Sequence, residues 1–144
     1  FAPASGVARG AYILADAAEG HPDLILIATG SEVSLCVQAY EQLAAEGIHA
    51  RVVSMPSWEI FEYYCGKHPD YRETVLPSNV TARVCVEQAS TFGWERYAGS
   101  GGQIIGMQSF GASAPLKELA KKFGFTVEHV VNAAKDQLEK VNTV

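Results

Sequence analysis

Five short apolar runs recur along the chain at the spacing of strands in an α/β domain. They cover residues 11–14, 24–28, 48–55, 82–87 and 103–107. The second run is apolar at every position, which is typical of a strand that is covered on both faces. We therefore predict a sheet between two helical layers, with the first run as an antiparallel edge strand.

The segment between the second and third runs has the periodicity of an amphipathic helix. Its apolar positions recur at helical spacing, while Ser34, Gln38 and Glu41 take the opposite face. The apolar positions are Val33, Cys36, Val37, Tyr40, Leu43 and Ala44. Because Gly47 ends this helix and a crossover is right-handed, the third run becomes a parallel strand beside the second.

The remaining segments predict shorter elements. Residues 56–61 begin a short helix, residues 67–77 form a polar connection, and residues 92–97 make one or two helical turns. Ser113 and Pro115 open a further helix that Gly124 ends. Thr126 then caps a final helix whose apolar stripe runs from Val127 to Val141.

Size and charge restrict the class of protein. The 144 residues are 48% apolar and 19% charged, with a formal net charge of −5, as expected for one globular domain. The chain lacks a basic cluster beyond Lys121-Lys122 and lacks an apolar run long enough to cross a bilayer, so we expect neither nucleic acid nor membrane as a partner. We predict a linker over residues 1–10, one domain over residues 11–144, and a cytoplasmic location.

The turn from the second run into the first helix is a candidate anion site. Thr29, Gly30, Ser31 and Glu32 would lie at a helix N-terminus, where free N–H groups favour a phosphate or carboxylate. The same residues could form only a capping box or an N-cap, which is the more common role. Glu87 ends another strand, and could meet Glu32 in the crevice at the carboxyl edge of the sheet.

The usual groups for bond-making chemistry are not arranged in a recognisable pattern. Ser31 lacks the second glycine of a nucleophile elbow, and the four histidines are isolated in sequence. Cys36, Cys65 and Cys85 have no metal-ligand spacing, and we expect them to be reduced, two of them in the core. A hydrolase or a thiol enzyme is therefore disfavoured.

Three aromatic residues are candidate contacts with other domains. Trp94 and Tyr97 lie one helical turn apart, and Phe110 lies in a glycine-bearing apolar loop. Trp94 and Tyr97 could equally complete the core of the domain. Exposed aromatic patches commonly mark interfaces, so both roles stay open at this point.

Several segments, taken in order, resemble the carboxyl-terminal domain of transketolase. The resemblance runs from about residue 8 to residue 138, and blocks in fixed order are more specific than any single motif. The matching blocks are Leu26–Val33, Ala50–Ser57, Tyr71–Pro77, Ser109–Pro115 and Phe123–Val127.

This resemblance implies a three-layer α/β/α fold with a mixed five-stranded sheet, four strands parallel and one antiparallel. It also implies that the parent enzyme moves a two-carbon ketol unit between sugar phosphates, using thiamin diphosphate and Mg²⁺ (or Ca²⁺) bound by its other domains. The present chain would hold no catalytic, cofactor or metal residue, and would support the other domains and the dimer mate. The alternative is a regulatory module that binds a phosphorylated metabolite at Thr29–Ser31.

Overall fold

The computed structural model of the chain describes residues 4–87, 93–106 and 126–142. These residues contain five strands and five α-helices in the order of the chain, with short 3-10 turns at Ala4–Arg9 and Ala18–Gly20. The strands are β1 (Tyr12–Ala15), β2 (Leu24–Ala28), β3 (Ala50–Ser54), β4 (Arg83–Glu87) and β5 (Gln103–Gly106). The helices are α1 (Glu32–Ala45), α2 (Trp58–Lys67), α3 (Pro69–Val75), α4 (Glu95–Ala98) and α5 (Val127–Asn142).

The strands form one mixed sheet in the order β1-β3-β2-β4-β5. β1 is the antiparallel edge strand and pairs with β3, while the pairs β2–β3, β2–β4 and β4–β5 are parallel. The register places Leu24 opposite Ala50 and Ala28 opposite Val86. The predictions of a mixed five-stranded sheet, an antiparallel edge and a β2–α1–β3 unit are therefore confirmed.

The sheet separates two hydrophobic cores. On one face, α1 and α5 cover alternate residues of the strands, among them Leu26 and Val52. On the other face, α2, α3 and α4 cover the intervening residues, among them Ile27 and Val53. All five residues of β2 are buried because both faces are covered, as its unbroken apolar sequence predicts.

A buried arginine fastens three segments at the amino edge of the sheet. Arg51 on β3 is 4% exposed, and its guanidinium makes two hydrogen bonds to the Asp16 carboxylate, at 2.8 and 3.1 Å. It also donates to the carbonyl oxygens of Gly20, Thr74 and Val75. Since the last two lie at the end of α3, the cation also meets the negative end of that helix.

The prediction of a polar connection over residues 67–77 is wrong, because most of this segment is helical. α3 begins at Pro69, directly after His68, and ends at Val75. Proline fits the first turn of a helix, where its missing N–H has no partner to lose, and Asp70 suits the positive helix N-terminus. Val75 and Leu76 are buried against the α2 side of the sheet, so the tertiary contact stabilises a helix of only seven residues.

Two helix ends illustrate how short sequence features set boundaries. Thr126 accepts a hydrogen bond from the backbone N–H of His129 at 3.2 Å, so its prediction as the cap of the last helix is confirmed. Ser57 caps α2 by accepting from the N–H of Ile60 at 3.2 Å. The helix predicted over residues 113–124 lies outside the described residues.

The N-terminal segment is tied to the domain. The turn at Ala4–Arg9 packs against α2, and the carbonyl of Gly10 accepts from the N–H of Ser57 at 3.1 Å. Gly10 has a φ of +81°, and a Cβ there would lie 2.1 Å from the nitrogen of Phe61. The linker over residues 1–10 stays a prediction, although its second half is fixed at this point.

Candidate functional site

The carboxyl edge of the sheet brings the predicted turn and Glu87 together. β2 and β4 are adjacent and parallel, so the residues that follow Ala28 lie beside the end of β4. The connection from β2 leads to β3 on one side, whereas β4 lies on the other, which makes this the point where the strand order reverses. Open α/β sheets bind ligands at such a point, so the location suits a site.

The turn itself differs from the predicted cap. Gly30 has a φ of +60°, in the left-handed region that favours glycine, and its carbonyl accepts from the N–H of Val33 at 3.3 Å. Ser31 occupies the N-cap position, but its side chain makes no capping hydrogen bond. Its hydroxyl instead donates to Oε1 of Glu32 at 3.3 Å. The side-chain cap predicted from Ser31 is therefore wrong, because the neighbouring carboxylate is the acceptor within reach.

Glu32 is the buried centre of this turn. Its side chain is 6% exposed, and burial raises the pKa of its carboxyl above the usual range, as does the nearby charge of Glu87. Hydrogen bonds from its own backbone N–H and from Ser31 act in the opposite direction. The carboxylate thus lies at the positive N-terminus of α1, where a bound phosphate would otherwise lie.

This arrangement disfavours a bound anion. A phosphate at this turn would meet the buried carboxyl group of Glu32, whose pKa the charge of Glu87 also raises, and like charges repel more strongly where water is scarce. Thr29 is half-buried, whereas Gly30 and Ser31 are exposed. The structure assembles Thr29, Gly30, Ser31, Glu32 and Glu87, but the geometry disfavours the anion site predicted for them.

Among the described residues, no three side chains of His, Cys, Asp or Glu lie close enough together to hold a metal ion. Glu32 and Glu87 supply two carboxyl groups, one of them buried. No step of a reaction is assigned to the described residues. In the same residues, no helix is long and apolar enough to span a bilayer.

The cysteines are free and buried. Burial raises the pKa of the Cys36 thiol to about 12, and burial also raises the pKa values of Cys65 and Cys85. A thiolate is the reactive form, and these environments disfavour it. The interpretation of Cys36 and Cys85 as core residues is confirmed.

Trp94 and Tyr97 belong to the core on the α2 side. They are 2% and 0% exposed, and both rings pack against Trp58, with ring centroids 4.9 and 5.7 Å away. Their rings offer almost no surface to another domain, so the described residues do not support the contact role predicted for them. Phe110, the third predicted contact, lies outside the described residues.

A charged network on the α2 side was missed by the sequence analysis. Glu62 accepts hydrogen bonds from Tyr97 at 2.8 Å and from Arg72, and Arg96 lies 3.8 Å away. Burial raises the pKa of Glu62, but the hydrogen bonds from Tyr97 and Arg72 and the charges of Arg72 and Arg96 together outweigh that effect and hold the pKa below its usual range. The network joins α2, α3 and α4, and it depends on the helical conformation of residues 69–75, which places Arg72 beside Glu62.

Comparison with known proteins gives a consistent result. Residues 10–126 match the family model described as "Transketolase-like TK C-terminal domain". The chain is 54% identical over 134 residues to a transketolase of Halalkalibacterium halodurans, and 57% identical over 132 residues to transketolase 2 of Vibrio parahaemolyticus. These alignments cover 93% and 92% of this chain, but only 20% and 19% of the relatives.

The solved structures agree. A transketolase from Leishmania mexicana superimposes with a TM-score of 0.82 at 43% sequence identity, over 94% of this chain and 19% of that one. The chain therefore spans about a fifth of the length of the relatives that it matches.

Proposed function

The chain belongs to the transketolase family, where it corresponds to the C-terminal domain, and from this premise we propose that it is the non-catalytic third domain of a transketolase. The parent enzyme would transfer a two-carbon ketol unit from ketose phosphates to aldose phosphates in the pentose phosphate pathway, in the cytoplasm. Thiamin diphosphate and Mg²⁺ (or Ca²⁺) would be bound by its other domains. The support is the match of residues 10–126 to the family's C-terminal domain.

The physical role that we propose for this domain is to bury apolar surface against the rest of the parent enzyme. The observation that carries this role is the outward face of α2, where Ile60 is 44% and Tyr63 is 67% exposed. Val7, which is 45% exposed, lies on the turn that packs against the same helix. We call Val7, Ile60 and Tyr63 the α2 face.

The course of the chain supports contact on this side. In a C-terminal domain the preceding domains are connected through the N-terminal segment, and residues 4–10 run along α2. Arg9 also lies 5.9 Å from the ring centre of Tyr64 and 5.4 Å from that of Tyr71, which fixes the direction of this segment. A neighbouring domain joined here starts close to the α2 face, so little loop closure entropy opposes docking.

Hydrogen exchange tests the interface. We expect amide protons of residues 58–67 to exchange more slowly in the parent enzyme than in the 144-residue chain, because a docked partner suppresses local opening. Replacing Ile60 and Tyr63 by serine should remove that difference and lower the melting temperature of the parent enzyme, with little effect on the 144-residue chain. Equal exchange in the parent and in the chain would contradict the role.

A matched control is available on the opposite layer. Val141 on α5 is 45% exposed, almost the same fraction as Ile60. Val141→Ser should leave the exchange of residues 58–67 unchanged. The 144-residue chain should also show no ketol transfer and no binding of thiamin diphosphate by calorimetry, and turnover by the pure chain would overturn the proposal of a non-catalytic domain.

The alternative, a regulatory module for phosphorylated metabolites at Thr29–Ser31, has less support. The carboxyl group of Glu32 lies in that turn, and Glu87 is close enough to raise its pKa. Titration of the 144-residue chain with inorganic phosphate would test this alternative. We expect no shift in the amide resonances of Gly30 and Ser31.

A further inference from the structure

A cavity of about 440 Å³ lies at the amino edge of the sheet, at the opposite end of the strands from Glu32. It is open to solvent on one side and is bordered by the segments that lead into β4 and β5 and by the last turns of α5. Its polar lining side chains are Ser78, Thr81, Arg83, Ser100, Gln137 and Lys140. The volume lies within the range of pockets that hold small molecules.

The lining of this cavity includes a buried amide group, on Gln137, that lacks a hydrogen-bond acceptor within the described part of the chain. The residue is 2% exposed, and its Nε2 has no hydrogen-bond partner among the residues that the structure describes. A buried donor without an acceptor is destabilising, and few such groups persist in native proteins. Because Gln137 lines the cavity, a ligand there could supply the missing acceptor.

The charge of the lining residues indicates which kind of hydrogen-bond acceptor the cavity would bind. Arg83 and Lys140 are cationic, and none of the described lining residues is acidic, although the chain as a whole carries a net charge of −5. Glu73 lies outside the lining but close enough to Arg83 for their charges to interact, and its carboxylate is held by the N–H and the hydroxyl of Ser78, both at 2.7 Å. The lining side chains therefore include two cations, Arg83 and Lys140, on a surface that is otherwise mostly apolar.

Arg83 is held in place without losing its charge. Its guanidinium donates to the carbonyl oxygens of Val80, Tyr97, Leu76 and Pro77, at 2.8 to 3.3 Å. Carbonyl oxygens orient the group but do not neutralise it, so its positive potential extends over the cavity. A fixed cation requires no reorganisation when an anion binds.

We propose that this cavity binds a small organic oxyanion, whose oxygen accepts from Nε2 of Gln137 while Arg83 and Lys140 balance its charge. The shared chemistry of the ligand is a carboxylate or phosphate group on a small polar body. This site is distinct from the turn at Thr29–Ser31, and it does not depend on the proposed role of the α2 face.

Titration of the 144-residue chain with glycerol 3-phosphate and, separately, with succinate tests the proposal and distinguishes the two sources of oxyanion. Ionic strength is held constant with sodium chloride. We expect one of the two probes to shift the amide resonances of Gly99 and Gly101 and the side-chain NH₂ resonances of Gln137. Absence of these shifts with both probes would overturn the proposal.

Two variants identify the groups that bind. Gln137→Met preserves side-chain volume but removes the donor, so it should weaken binding about tenfold, the effect of losing one hydrogen bond to a charged acceptor. Because Nε2 has no partner among the described residues, this variant should unfold at the same denaturant concentration as the wild type or higher. Lys140→Gln removes an exposed cation and should weaken binding at low salt more than at high salt.

Matched substitutions elsewhere complete the test. Gln42→Met on α1 and Lys67→Gln on α2 alter exposed side chains far from the cavity, and both should bind the probe as the wild type does. Binding raises the melting temperature of any variant that retains the site, by mass action. Undiminished binding by Gln137→Met would show that the donor is not used and would refute the proposal.

Discussion

Buried charge is handled differently at the two edges of the sheet. At the amino edge, Arg51 has a carboxylate and three carbonyl oxygens as acceptors. At the carboxyl edge, Glu32 has Ser31 and its own backbone as donors, and another carboxyl group nearby. The first arrangement compensates the loss of water around the charge, whereas the second compensates it only in part.

Removal of the Arg51 side-chain charge should be strongly destabilising. Arg51→Met removes the donor of the three carbonyl oxygens and leaves the Asp16 carboxylate with only the N–H of Ala17. Breaking a fully buried pair costs about 3–5 kcal/mol, and we expect the lower end of that range because Asp16 is 33% exposed. Urea unfolding measures the difference. Lys135→Met provides the comparison, because the Lys135–Glu46 pair is exposed at both ends and such pairs contribute about 0–1 kcal/mol. Equal effects of the two substitutions would contradict this account of Arg51.

Glu32 should make stability depend on pH with a defined sign. The folded state holds the Glu32 proton more tightly than the unfolded state, so the free energy of unfolding falls as pH rises from the ordinary value of 4.5 through the raised pKa. Glu32→Gln should therefore be more stable than the wild type at neutral pH and converge with it in acid. Urea unfolding at pH 4 and pH 7 measures this.

Glu59 provides the control for Glu32. It is an exposed carboxylate in the first turn of α2, so Glu59→Gln loses a favourable interaction with the helix dipole. We expect that variant to lose about 0.3–1 kcal/mol at neutral pH, the opposite sign. A Glu32→Gln variant that is less stable than the wild type at pH 7 would refute the interpretation of Glu32.

At the scale of elements, Ser31 and Ser57 both occupy the N-cap position of a helix, but only one of them makes a capping hydrogen bond. Ser57 caps α2, whereas Ser31 makes no capping hydrogen bond at α1. Ser57→Ala should therefore cost about 0.5–2 kcal/mol, and Ser31→Ala close to nothing. Chemical denaturation of both variants measures the contrast, and a loss from Ser31→Ala as large as that from Ser57→Ala would show that Ser31 acts as a cap after all.

A comparison of Gly10 with Gly47 distinguishes the cost of a left-handed backbone from the cost of a steric clash. Gly10 and Gly47 have φ angles of +81° and +80°, but a Cβ on Gly10 would lie 2.1 Å from a backbone nitrogen of α2, while nothing lies within 4 Å at Gly47. Gly47→Ala should cost about 1–2 kcal/mol from the left-handed conformation alone. Gly10→Ala should cost more and detach the N-terminal segment from α2, measured by unfolding and by proteolysis before residue 10. Equal costs would mean that the segment simply shifts.

At the scale of the whole molecule, the two cores share one sheet. β2 and β3 contribute alternate side chains to both cores. If one helical layer unfolds, it exposes one face of these strands and destabilises the sheet on which the other layer packs. We expect a single cooperative unfolding transition. Far-UV circular dichroism reports both layers, while the fluorescence of Trp58 and Trp94 reports the α2 side. Coincident midpoints are expected, and an earlier fluorescence transition would show that the α2 side unfolds separately.

Much of the fold could be predicted from local patterns. The unbroken apolar run of Leu24–Ala28 indicated a strand buried on both faces, and the helical spacing from Val33 to Ala44 predicted α1, because these periodicities follow from backbone geometry. The segment Pro69–Val75 was missed because its charged and polar residues show no apolar stripe. Its start features, a proline and an acidic residue, are common in turns as well and do not by themselves predict a helix.

The sequence by itself determined the order and type of most elements and the family, because hydrophobic periodicity and ordered blocks depend only on neighbouring residues. Only the tertiary structure decided what Glu32, Trp94, Tyr97, Arg51 and Gln137 do, since burial and hydrogen-bond partners come from residues distant in the chain. Arg51 meets Asp16, 35 positions away, and Tyr97 meets Glu62 at the same separation. Contacts of that range depend on how the layers pack, which no local pattern specifies.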